Sequence, residues 1–215
     1  MTNSQIDLFS LFNSVTKSLK ENQTELNKAD EYNHDHGDNM VEIFDVITQA
    51  MKAKKNAAPA DQLEYASQLL RQKSKSGSAQ VYANGLNQAA KNFGAGDLDV
   101  GKILQLLQTI MGGVSAVQSA SGKQTSSSGD MLGSLLSGLS GGTSSSGQEK
   151  GFDLSDLLGA GMSYMQAKQS GKDDMSALVG ALVGSTEMGK SPYRSKSSEI
   201  VASTILQALG SMLNK

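Results

Sequence analysis

Apolar residues recur three and four positions apart along almost the whole chain, and this periodicity limits the fold more than any single motif does. Leu8, Leu11, Phe12, Val15 and Leu19 share one helical face. A second helix is expected to start near Asn39, where Asn39 and Glu42 form a capping box and Phe44, Ile47 and Met51 make one stripe. Further helices are predicted over 61–73, 78–93 and 98–111, the last burying Val100, Ile103, Leu104, Leu107 and Met111. The period returns at Leu154, Leu157, Leu158, Met162 and Met165, and again at Met175, Leu178, Val179, Leu182 and Val183. It ends in the clearest stripe: Ile200, Val201, Thr204, Ile205, Ala208, Leu209 and Met212. Seven or eight amphipathic helices follow from this count. Each must hide its stripe against neighbours, so the chain reads as one all-α domain, 1–215, built as a bundle or ring.

Composition narrows the function. With 19 Lys and Arg against 21 Asp and Glu, the formal charge of −2 is too balanced to attract nucleic acid or an anionic membrane surface. Two prolines and no tryptophan argue against a β-sandwich and against an aromatic platform for bases. The absence of cysteine removes disulfides, thiolate metal sites and thiol nucleophiles. The first residues do not read as a signal peptide, and no stretch is apolar for long enough to span a membrane, so a cytoplasmic setting without a membrane span is expected.

Between Met111 and Lys150, Ser and Gly supply more than half of the residues, and the segment 112–150 reads as a flexible insertion that tethers or contacts a partner. Ser126, Ser127 and Ser128 within it have no general base nearby in sequence. The methionines suit core filling at their helical spacing. Lys52, Lys54 and Lys55 suit a solvated helix end.

Chemistry concentrates in one place. Residues 30–39, DEYNHDHGDN, hold four acids and two imidazoles directly before the expected helix start at Asn39. A helix start with its free N–H groups favours phosphate, while adjacent carboxylates repel it unless a cation intervenes. Asp30, Asp35 and Asp38 are hard oxygen ligands suited to Mg²⁺. His34 and His36 favour zinc or another transition metal. A solvated acidic loop that caps the next helix is the plain alternative.

The stretch Asn33-His34-Asp35-His36-Gly37-Asp38-Asn39-Met40 resembles the Gly-Asp-Gly-Asp-His-Gly-x-Asn-Met loop of the L subunit, the DhaL-type domain, of dihydroxyacetone kinase, with Asp35, His36, Gly37, Asn39 and Met40 matching. Three further echoes follow in order. Ser76-Gly77-Ser78-Ala79-Gln80-Val81-Tyr82 is similar to the family's Gly-Ser-Ser-Gly-Pro-Leu-Tyr loop, Gly171-Lys172-Asp173-Asp174-Met175 to its Gly-Asp-Lys-Thr-Met, and Gly189-Lys190-Ser191-Pro192-Tyr193 to its Gly-Arg-Ala-Ser-Tyr.

The resemblance implies an antiparallel ring of eight helices whose loops at one end hold ADP or ATP through Mg²⁺. It also implies phosphoryl transfer to dihydroxyacetone, or a related hydroxy compound, held on a separate K-type subunit. On that template Asp35 holds metal; Asp30 and Asp38, with Asn33 and His34, are the residues here that would replace the carboxylates the motif lacks. His36, Asn39, Ser76, Gly77 and Ser78 face the phosphates, and Lys190 and Tyr193 face base and ribose. The chain departs from the family at Asn33, which stands for the first Asp of the Asp-Gly-Asp pair, and at Lys28, which stands for an upstream acid. Ser195 to Glu199 replace its Gly-His-x-Asp-Pro-Gly. Two other outcomes are therefore carried: a non-catalytic helical binding module derived from this scaffold, and a helical protein that binds a transition metal.

Overall fold

The computed structural model describes residues 6–93, 98–111 and 191–213, together with 179, 180 and 183. These residues form six helices and no strand: α1 (Leu8–Ala29), α2 (His36–Ala53), α3 (Pro59–Lys73), α4 (Gly77–Phe93), α5 (Val100–Ile110) and α6 (Pro192–Leu213). The all-α expectation holds for them. The insertion at 112–150, the 171–175 motif and Lys190 lie outside the described residues.

Local chemistry sets the helix ends. Asp7 caps α1, its carboxylate accepting from the N–H groups of Phe9 and Ser10 at 3.3 and 3.1 Å. Pro59 opens α3, where a missing N–H costs nothing. Asp99 caps α5 through the N–H of Lys102 at 2.8 Å. α1 to α4 are joined by short connections, so these neighbours run antiparallel. α1 packs against α2 and α6, α3 against α2 and α4, and α5 on α4.

The predicted stripe of α1 is buried in full: Leu8, Leu11, Phe12, Val15 and Leu19 all face the core. Each such burial is worth about 1.5–3 kcal/mol. A chain of rings crosses the interior, Phe12 to Phe44 at 6.2 Å and Phe44 edge-on to Tyr82 at 5.1 Å, tying α1, α2 and α4 together. α5 buries Ile103, Leu107 and Met111 as expected but corrects the expected face at Val100 and Leu104. Ile103, Leu106, Leu107 and Ile110 are its buried side residues, whereas Val100 is 38% exposed and Leu104 only half-buried. The helix starts at Val100, and its one packing partner among the described helices, α4, covers a narrower stripe than the sequence offers. Lys52, Lys54 and Lys55 are exposed at the end of α2, with the Lys54 ammonium 5.2 Å from the centre of the Tyr65 ring.

Gly85 explains how closely α4 and α5 approach. A side-chain carbon there would lie 2.5 Å from the Ile110 Cα and 2.7 Å from the Thr109 carbonyl carbon, both backbone atoms that yield only if the helix moves. Gly210, in the last helix, faces open space. Gly85→Ala should therefore lower the stability by about 1–3 kcal/mol, while Gly210→Ala should raise it by about 0.5–1 kcal/mol. Urea midpoints of the two variants at equal m-value measure this pair, and a neutral Gly85→Ala would contradict the packing described.

Candidate functional site

The α1 end, the α1–α2 loop and the starts of α2, α4 and α6 line one cleft of about 640 Å³. Asp30, Asn33, Asp35, His36, Asn39, Ser76, Gly77, Ser78 and Tyr193, separated by up to 163 residues, meet there, joined by Tyr32 and Arg194. Sequence reasoning placed the first nine at the site and missed the last two. Asp38 and His34 are the exceptions among the described candidates: neither lines the cleft.

Asp38 is drawn away by α1. Its carboxylate accepts from the Gln23 amide at 2.6 Å and the Asn27 amide at 3.0 Å, and these two bonds, Gln23 first, hold its pKa below the usual carboxylate value. The other end of the Asn27 amide caps α2, its oxygen accepting from the N–H groups of Gly37 at 2.6 Å and Asp38 at 3.1 Å. α2 therefore starts at His36, three residues before the expected Asn39, because the cap comes from another helix. Gly37 permits it: a side-chain carbon there would sit 2.7 Å from the Asn27 oxygen. Asn39 lies inside the first turn, and its amide donates to Asp35 at 2.7 Å. His34 is exposed in the loop with a φ of 57°, a left-handed conformation that turns the chain into α2.

The start of α4 is left open. The Ser76 hydroxyl accepts from the N–H of Ala79 at 3.1 Å, but the N–H groups of Gly77 and Ser78 have no acceptor among the described residues. The Ser78 side chain is 6% exposed, lines the cleft and makes no hydrogen bond among them either. Beside this turn lies Arg194, whose terminal nitrogen is 3.5 Å from where a side-chain carbon on Gly77 would stand. Its guanidinium is 5.7 Å from the centre of the Tyr193 ring, and its Nε is buried without a partner.

His36 forms the floor at 3% exposed. Its Nε2 is 2.9 Å from the Ser197 hydroxyl, which itself donates to the Arg194 carbonyl at 3.0 Å. When the Ser197 proton goes to that carbonyl, the imidazole is the donor in this bond and Nδ1 carries the lone pair. The ring stands edge-on to Tyr193 at 4.8 Å, and Tyr193 edge-on to Tyr32 at 6.3 Å. Asp30 is buried and accepts from the Tyr32 N–H at 3.1 Å. Two carboxylates, one guanidinium and a neutral imidazole leave the lining with a net negative charge, so a bare anion is opposed and an anion accompanied by a cation is not. Among the described residues no three His, Asp or Glu side chains converge as a metal-binding group. Asp30 and Asp35, with the amide oxygens nearby, suit a hard cation that completes its shell with ligand oxygens and water.

No protein-family model, curated protein or solved structure matches this chain. No helix among the described residues is long and apolar enough to cross a membrane.

Burial pushes the His36 imidazole from 6.5 down to about 4; Arg194 pushes the same way, while Asp30 and Asp35 partly oppose it. An unfolded chain takes up this proton near 6.5, the folded one only near 4. Within that window the unfolded state binds more protons, so falling pH erodes stability and the loss is complete below about 4. In cation-free protein, one of the two histidines should show ring resonances that titrate near pH 4, and His36→Gln should flatten the decline of the unfolding midpoint between pH 6.5 and 4. A His36 titration near 6.5 would contradict the burial.

Proposed function

We propose that the cleft binds the phosphates of an Mg-nucleotide and that the chain is a DhaL-like phosphotransferase subunit. The observation that carries the reading is the open start of α4, where two free N–H groups and the Ser78 hydroxyl stand beside the partnerless Arg194 Nε, across one cleft from Asp30 and Asp35. Free N–H groups and guanidinium are donors for phosphate oxygens. Carboxylates facing that phosphate need a divalent ion between them, and Mg²⁺ takes one or two carboxylates plus phosphate oxygens. When bound, the ion neutralises phosphate charge and draws electrons from the transferring phosphorus.

The chain's own residues divide the work. Gly77, Ser78 and Arg194 hold and orient the phosphates. Asp30 and Asp35 hold the cation, and the Asn39 amide fixes the Asp35 carboxylate. His36, neutral at pH 7, offers a lone pair without adding charge. The acceptor is dihydroxyacetone or a related hydroxy compound presented by a K-type partner, in a cytoplasmic setting, and the complete domain closes as the eight-helix ring of that family. Those parts of the reading rest on the sequence motifs alone.

A second reading has one observation in its favour: the carboxylate of Asp38 is committed to α1, which leaves two acids where three were expected. Phosphoryl transfer relies on positioning and charge neutralisation, so losing an acid harms turnover more than binding. The second reading is therefore a module that binds without transfer.

Calorimetric titration of Mg-ADP into the full chain tests both. Saturable binding that requires Mg²⁺ is expected, with Asp35→Asn and Arg194→Gln each weakening it by about 10-fold or more. Absence of binding in the unaltered chain would dispose of both readings. Phosphoryl transfer from ATP to dihydroxyacetone in the presence of a K-type subunit separates the phosphotransferase from the module.

A further inference from the structure

Tyr32 is 86% exposed, the most exposed large apolar side chain among the described residues, yet it is not a loose loop tip. Its N–H is fixed to the buried Asp30 carboxylate at 3.1 Å, and its ring meets Tyr193 edge to face. Tyr193 meets His36 in the same way, so three rings run along one wall from the cleft floor to its mouth. An isolated exposed aromatic is ordinary. One that is anchored through its backbone, lines a cleft, and continues a ring row from a buried imidazole presents a flat apolar face to whatever the cleft holds. The same cleft is lined by Ser78, a residue 6% exposed whose hydroxyl makes no hydrogen bond among the described residues. Cleft chemistry thus runs from anion donors at α4 to an apolar π-face at the mouth.

We propose that Tyr32 is the specificity-determining residue of this cleft, stacking on the planar base of the ligand and so selecting nucleoside phosphates over inorganic polyphosphates. The inference rests on reading the cleft as a cation-dependent phosphate site. Stacking needs no base-specific hydrogen bond, so the selection is for a base as such, with purines favoured by their larger face. The Tyr32 side chain lies outside the core, and the bond from its N–H to Asp30 does not depend on the side chain, so its replacement is expected to leave the fold intact.

Titration calorimetry on the full chain with Mg-ADP and Mg-pyrophosphate, for the unaltered protein, Tyr32→Leu and Tyr32→Phe, decides it. The unaltered chain should prefer ADP. Tyr32→Leu should weaken ADP binding by about 5- to 150-fold and leave pyrophosphate within about 2-fold, while Tyr32→Phe keeps the ADP affinity. If Tyr32→Leu binds ADP as the unaltered chain does, stacking is wrong and the phosphate reading stands. If Tyr32→Leu weakens both ligands equally, Tyr32 serves the phosphate end and base selection is wrong. If the unaltered chain binds neither ligand, the phosphate reading falls and the selection with it.

Discussion

The side-chain amide of Asn27 is the interaction on which the rest of the site depends. Near the end of α1, it fills the first donors of α2 with its oxygen and holds Asp38 with its nitrogen. One planar group thereby sets where α2 begins, how near α1 and α2 come at Gly37, and which way Asp38 faces. An uncapped helix start in a packed interior would leave donors without partners, at a cost of about 1 kcal/mol or more. The cap removes that cost and leaves the N–H groups of Gly37 and Asp38 occupied.

The consequence is an asymmetric cleft. Helix starts contribute to it from three sides, but α2 is closed by Asn27 while α4 keeps two free N–H groups and Ser78. Arg194 adds a positive group beside α4, and Asp30 and Asp35 add negative ones on the α1–α2 side. Donors and acids thus stand on different elements, Gly77, Ser78 and Arg194 on α4 and α6 and Asp30 and Asp35 on the α1–α2 connection. His36 sits near both, and burial keeps it neutral.

Much of this was legible in the sequence. The helices follow from apolar spacing, and α3 and α4 begin and end close to their predicted limits because their stripes are local features. The clustering of Asp30, Asn33, Asp35, His36 and Asn39 with Ser76, Gly77, Ser78 and Tyr193 was anticipated from motif order. Four features escaped. Asn27 is an amide on the rim of an ordinary amphipathic helix, and nothing nearby marks it as the cap of the next one. Arg194 directly follows Tyr193, within reach of the late motif, but only its unpartnered Nε singles it out. Ser197, three residues beyond Arg194, becomes significant only through its bond to His36. Tyr32 was an unremarked aromatic in an acidic run.

What the sequence determined by itself was helix content, the buried face of α1 and the residues able to supply charge, because periodicity and side-chain type act over a few neighbouring positions. Tertiary structure alone decided which of those charges meet. Asp38 and Asp35 stand three residues apart on a helix start, and the sequence treats them alike. Contact with α1 captures one of them and leaves the other on the cleft, because a hydrogen bond to Gln23 and Asn27 depends on the distance between two helices and on no local pattern.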